Sequence, residues 1–219
     1  MRARIEGGIV YSPYTFTPRA ENQTFGGFLS ETLTACESKT ALMCGEDRVS
    51  YSNLREKVCR CTAGFRRQGV GKGDRVYVHF TNSIETFVAV CSLPLTGASL
   101  VSSDIMWRED DIVDKIERAG ATAVLTDGDH VEMFARILSR CNVKKAFVVG
   151  EKRSGFKDVS EFSQKNELLD DDETFDSGDC TFVKWTTGTT GAPKGVEYSE
   201  ERFVRMIYSV AASWSALSG

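Results

Sequence analysis

The sequence predicts an α/β fold, a mostly parallel sheet flanked by helices, on three observations. Short apolar runs of strand period alternate with stretches of helical period between Arg75 and Val149, and that alternation argues strands joined by helical crossovers. Glycine closes the segments, as in G-V-G-K-G-D over 69–74 and at Gly120. A chain of 219 residues is also long enough to bury a core.

Taken in order, residues 1–24 read as an extended lead-in, because Tyr11, Pro13, Tyr14 and Pro18 disfavour regular structure. Phe25, Phe28, Leu29 and Leu33 share one face of a helix. Ala41–Cys44 and Val49–Tyr51 flank the turn G-E-D-R and predict a small hairpin. Ser52 is the expected cap of the next helix, whose buried stripe is Leu54, Val58, Cys61 and Phe65.

Val76, Val78 and Phe80 alternate as a strand should. A helix follows from near Asn82, with Ile84, Phe87, Val88 and Cys91 on one face and Pro94 ending or kinking it. Ala98–Ser102 predicts a strand. The next helix has Asp110 and Asp111 in its first turn, Ile112, Ile116 and Ala119 inward, and Gly120 as its stop. Thr122–Thr126 is a strand, Val131–Leu138 a helix with Val131, Phe134, Ala135 and Leu138 inward, and Ala146–Val149 a strand. Residues 151–179 lose the pattern and end near D-D-D-E, which reads as a polar, acidic, solvated connection. Thr181–Trp185 is a strand, and Ser199 caps a last helix carrying Phe203, Met206, Ile207 and Val210 on one side.

Composition narrows the partners. A net charge of −4, from 27 basic and 31 acidic residues, supplies no field for nucleic acid or an anionic membrane. The seven cysteines are scattered and odd in number, which suggests reduced core thiols in an intracellular protein. His79 and His130 are far apart in sequence and Cys59-Cys61 is only a C-x-C, so no metal site is expected from them. The longest apolar run, Phe87–Leu95, falls well short of the roughly 18 residues that span a bilayer.

The chemistry concentrates in one stretch. Within Thr186, Thr187, Gly188, Thr189, Thr190, Gly191, Ala192, Pro193, Lys194 and Gly195 there are four hydroxyls, three glycines and a lysine. Glycines let the backbone turn tightly against a ligand, successive N–H groups form an anion-holding concavity, and a lysine adds a compact charge for phosphate. The stretch therefore reads as a loop for a polyphosphate. It is not the common G-x-x-x-x-G-K-S/T loop, since Lys194 lies between Pro193 and Gly195 and Val196–Tyr198 reads as extended.

T-T-G-T-T-G-A-P-K-G resembles the signature loop of the AMP-forming adenylation superfamily, which includes acyl-CoA synthetases, coumarate-CoA ligases and beetle luciferases. Thr187 stands where Ser is commoner and keeps a hydroxyl. R-V-S-Y-S-N-L-R, G-V-G-K-G-D-R-V, F-T-N-S-I-E-T-F-V-A-V and L-T-G-A-S extend the likeness along the chain, and G-I-V-Y-S-P-Y resembles the coumarate-ligase and luciferase branch. The chain departs from the family pattern at Ser199-Glu200, at Ser103-Asp104 and at Pro94.

The resemblance implies that residues 1–219 form the N-terminal portion of an adenylation domain, incomplete and inactive alone. It implies an intact relative that joins a fatty or aromatic carboxylic acid to ATP, releases pyrophosphate and passes the acyl group to coenzyme A, with Mg2+ as cofactor. Thr186 to Gly191 would hold the β- and γ-phosphates and Lys194 would neutralise them. No catalytic residue or metal ligand is expected in this chain, because the substrate's carboxylate is itself the nucleophile. A cytoplasmic or peroxisomal location is implied, any peroxisomal address lying outside this chain. Two alternatives share the loop: a luciferase-like monooxygenase, and a nucleotide-binding module without chemistry.

Overall fold

The computed structural model describes the backbone of residues 4–6, 9–11, 23–164, 176, 178–186 and 193–215, and side chains over 23–162, 176, 178–186 and 193–211. At the start, β1 (Arg4–Glu6) and β2 (Ile9–Tyr11) pair antiparallel as a separate ribbon. This ribbon lies ahead of Pro13 and Pro18, and its paired strands satisfy their own backbone groups. Residues 12–22 of the expected lead-in lie outside the described residues.

Helix α1 (Phe25–Ala35) starts at Thr24, whose hydroxyl accepts the Gly27 N–H, and it buries Phe25, Leu29 and Leu33. Strands β3 (Thr40–Cys44) and β4 (Asp47–Ser50) form the expected hairpin. Helix α2 (Tyr51–Arg67) is capped by Ser50 and not by Ser52: Ser50 Oγ accepts the Asn53 N–H at 3.2 Å. The last extended residue of β4 passes straight into the helix, so the cap falls one turn-half earlier than the sequence suggested. Leu54, Val58, Cys61 and Phe65 are all buried, and Gly69, at φ +72°, turns the chain after the helix.

β5 (Arg75–His79) leads to α3 (Ile84–Ser92), which opens with a reciprocal Ser83/Thr86 capping box. Turning Thr86 inward rotates Phe87 outward, to 45% exposure, against the sequence reading. Pro94 ends the helix and starts a 3₁₀ turn, Pro94–Thr96. Then follow β6 (Ser99–Ser102), α4 (Glu109–Ala119), β7 (Ala123–Asp127), α5 (Val131–Leu138) and β8 (Lys145–Val149). In α5 the buried residues are Val131, Phe134 and Ile137, while Ala135 and Leu138 are only partly covered.

The acidic connection is more structured than its composition suggested. β9 (Lys157–Asp158) pairs parallel with β8, and a 3₁₀ segment, Val159–Gln164, buries Phe162 edge-on against Phe65 and Phe147. Two aromatic partners outweigh the polar surroundings. The D-D-D-E run at 170–173 lies outside the described residues. The chain returns through β10 (Cys180–Thr186), β11 (Lys194–Ser199) and α6 (Glu200–Ser215). Among the described side chains of α6, Glu200 and Val204 are buried, whereas Val210 is 49% exposed.

The seven-stranded sheet has the order β11-β10-β6-β5-β7-β8-β9. All neighbours are parallel except the edge pair β10/β11. One face packs Val76, Val78, Leu100, Leu125 and Phe147 against α1, α2, α3 and α6. The other packs Tyr77, Val101, Val124, Val183 and Trp185 against α4 and α5. Adjacent strand residues serve opposite layers, so these strands read as continuous apolar runs. The first crossover places β6 on one side of β5 and the second places β7 on the other, so the winding reverses at β5.

Candidate functional site

Strand β10 enters the sheet as a parallel neighbour of β6, in register Phe182↔Leu100 and Val183↔Val101. Ser99 Oγ donates to the Cys180 carbonyl at 2.6 Å and Ser102 Oγ to the Val183 carbonyl at 3.1 Å, lengthening a short ladder with side chains. Beyond the carboxyl end of β6, the β10/β11 ladder runs on to Trp185↔Gly195 and Thr186↔Lys194. Buried Val183 and Trp185 root the hairpin, and Arg75 Nη2 ties β11 down through Glu197 at 2.6 Å.

The ladder therefore fixes Thr186 and Lys194 as paired neighbours. Of the ten residues singled out by sequence, Thr187, Gly188, Thr189, Thr190, Gly191 and Ala192 lie outside the described residues. The other four are brought together. Thr186 Oγ1 donates to the Lys194 carbonyl at 3.3 Å, so this hydroxyl closes the hairpin. Lys194 is exposed, and Gly195 lies over the Trp185 ring, where a Cβ would come within 3.4 Å of two ring carbons.

A second group of polar residues, not anticipated as a group, gathers at the carboxyl ends of β5, β6 and β7. In open α/β sheets ligands bind in the crevice where the winding reverses. His79 Nδ1 is 2.7 Å from Ser103 Oγ, which is 2.8 Å from the Tyr77 hydroxyl. The His79 and His130 rings meet edge to face at 4.7 Å. His130 Nδ1 in turn lies 2.6 Å from Asp127 Oδ1, and Asp127 Oδ2 accepts the Thr81 amide at 2.6 Å and its hydroxyl at 2.7 Å.

The environment sets the charges here. Burial pushes the Asp127 carboxyl up, but the Thr81 amide, the His130 ring and the Thr81 hydroxyl outweigh it and hold it below the usual range. Burial, then the neighbouring His130, pushes His79 down to about 4. His79 Nε2 is buried and has no partner among the described residues. The sequence signal for this group was partial: His79 lies inside the strand predicted through Phe80, and Asp127 directly follows the one predicted over Thr122–Thr126.

Glu200, where the family pattern departs, is also accounted for. It is buried, and its Oε2 accepts the Phe25 N–H at 2.6 Å, joining α6 to the first turn of α1. Among the described residues no group of three or more His, Cys, Asp or Glu could hold a metal ion. Among them, too, no helix is long and apolar enough to cross a membrane.

Comparison with known proteins places this geometry. The model of the family described as AMP-binding enzyme matches residues 29–218. Among curated proteins, the medium/long-chain-fatty-acid–CoA/3-oxocholest-4-en-26-oate–CoA ligase of Mycobacterium marinum is 27% identical over 187 residues, covering 80% of this chain and 34% of that protein. The acetyl-coenzyme A synthetase of Chromobacterium violaceum is 28% identical, covering 78% of this chain and 30% of that protein. The chain thus spans about a third of the length of these relatives.

Among solved structures, the luciferase-like enzyme of the mealworm Zophobas morio shares the fold at a TM-score of 0.80 and 18% identity, over 89% of this chain and 47% of that one. The anthranilate CoA ligase AuaEII in complex with anthranoyl-AMP does so at 0.72 and 16%, over 82% and 35%. With a match that runs through the seven-stranded sheet and all of α6, the chain belongs to the AMP-binding enzyme family.

Proposed function

We propose that this chain supplies the phosphate-holding part of an ATP-dependent, AMP-forming acid–CoA ligase. The reaction begins when a carboxylate oxygen of the substrate attacks the α-phosphorus of ATP. The bond from the α-phosphorus to the α,β-bridging oxygen breaks, pyrophosphate leaves with its charge, and an acyl-AMP remains. A coenzyme A thiol then takes the acyl group and AMP leaves. The single observation that carries the reading is the rooted hairpin end, where Thr186 pairs with exposed Lys194, the two described residues that flank the centre of the T-T-G-T-T-G-A-P-K-G sequence.

Negative charge develops on the departing phosphates, and fixed donors aimed there are what acceleration requires. Residues 186–191 would direct N–H and hydroxyl groups at the β- and γ-phosphates, with Lys194 as the compact cation beside them. The described residues supply no magnesium site, and no step is assigned to that ion. The names of the relatives support a monocarboxylic acid, fatty or aromatic, as the substrate class.

The test is calorimetric titration of the chain with ATP and with AMP. ATP should bind more tightly, and Lys194→Ala should weaken ATP by about ten- to a hundred-fold while sparing AMP, the range expected for one charge-assisted contact. Equal affinity for the two nucleotides, or an unchanged ATP affinity in the variant, would refute the proposal.

A further inference from the structure

The end of α4 reaches across to the hairpin. Arg118 Nη2 donates to the Pro193 carbonyl at 2.7 Å. The same guanidinium lies 5.1 Å from the centroid of the Trp185 ring, and its Nη1 reaches Asp114 Oδ2 at 3.1 Å. Arg118 thus touches both arms of the hairpin, at the residue before Thr186 and at the residue before Lys194.

Its neighbour on the helix reinforces the arrangement. Lys115 is only 4% exposed, with its ammonium 5.2 Å from the Trp185 ring and 5.4 Å from that of Trp107. Lys115 also donates to Asp114 Oδ2 at 2.7 Å, so one carboxylate joins both cations. That lysine's hydrogen bond, opposed by burial and helped by Arg118, holds the Asp114 carboxyl below its usual range. Moving Trp185 would uncover a buried ammonium, so the ring is a firm seat for the guanidinium.

We propose that Arg118 is a positioning residue for the phosphate loop, orienting Lys194 through the Pro193 carbonyl; this rests on the function proposed above. Proline has no N–H of its own to donate, and Arg118 holds the carbonyl of the peptide that joins Pro193 to Lys194. That peptide plane sets the direction in which the Lys194 side chain leaves the backbone. A planar fork stacked on an indole fixes the plane more tightly than a flexible ammonium could. Arg118 acts through Lys194 and touches no phosphate.

The test uses the chain itself and two readouts, amide hydrogen exchange at Thr186 and Lys194 and calorimetric affinity for ATP and AMP. Arg118→Ala is expected to speed exchange at both amides and to weaken ATP about ten-fold, with AMP unchanged. Arg118→Lys, which keeps a donor but not the fork, should recover part of both effects. If ATP affinity survives Arg118→Ala but falls in Lys194→Ala, the positioning role is wrong and the phosphate reading stands. Weaker ATP binding with unchanged exchange would make Arg118 a direct ligand and also overturn the positioning role. Indifference of ATP affinity to both Lys194→Ala and Arg118→Ala would overturn the phosphate reading and this inference together.

Discussion

Lowering the pH from about 7.5 to about 5 should destabilise the fold through His79. Its ring is 2% exposed, Nδ1 faces Ser103 Oγ, and Nε2 has no acceptor among the described residues. A second proton would therefore place an unpaired N–H and a charge in a dry site beside His130. Asp127 and Asp104 favour the charged form and only partly offset this. The folded value of about 4 lies below the ordinary 6.5. Neutral His79 thus contributes stability that is present above pH 6.5 and lost as the pH falls toward 4.

The difference corresponds to about 2 kcal/mol lost by pH 5 and about 3 kcal/mol in full below pH 4. Denaturant unfolding of the wild type and of His79→Asn, which keeps a group near Ser103 but cannot titrate, measures it as the difference between two pH slopes. The chain has two histidines, so His130→Asn assigns the ring signals in an NMR titration. Parallel pH slopes for wild type and His79→Asn, or a His79 ring that titrates near 6.5, would refute the reasoning.

Three further outcomes are expected. Burial, with the Phe25 amide only partly opposing it, raises the Glu200 carboxyl above its ordinary value, so the stability tied to its protonated form is lost as pH rises through the folded value; the melting temperature of Glu200→Gln should gain on wild type from about pH 4.5 to about pH 8, and a constant difference would contradict this. Gly64→Ala should destabilise by about 1–3 kcal/mol despite a better helix propensity, because its Cβ would clash with Phe162 Cβ, Cγ and Cδ2; Phe162→Ala removes the ring and keeps the Cβ, so in that background the cost should shrink without vanishing, which double-mutant unfolding measures. Ser83→Ala removes the half of the α3 capping box in which its hydroxyl accepts the Thr86 N–H, leaving the Ser83 N–H on Thr86 Oγ1, and should cost about 1 kcal/mol in denaturant unfolding, whereas Ser52→Ala, off the cap, should cost less than Ser50→Ala.

The sequence alone determined the α/β class and the order of strands and helices through the parallel region, and it singled out the stretch proposed to hold phosphate. The stripe Leu54, Val58, Cys61, Phe65 and the stop at Gly120 were legible because helical periodicity and capping act over three or four residues. The same local reach explains the small errors. Ser52 and Ser50 differ only in where a strand hands over to a helix, and Phe87 differs from Thr86 by one residue of rotation on a short helix.

The tertiary structure decided everything that needs two distant segments. Backbone ladders accept any sequence, so the order β10-β6-β5-β7-β8 came from the crossovers and not from composition. Only that order sets His79 beside His130, with Ser103 and Asp127 at their ends. It also hides Phe162 in an acidic segment, turns Glu200 onto the first turn of α1, and lays Arg118 on Trp185 and Pro193. Apart from the local Asp127–His130 pair, each of these is a charged, polar or aromatic group whose partner lies far away in the chain, and no spacing rule along one chain encodes such a pair.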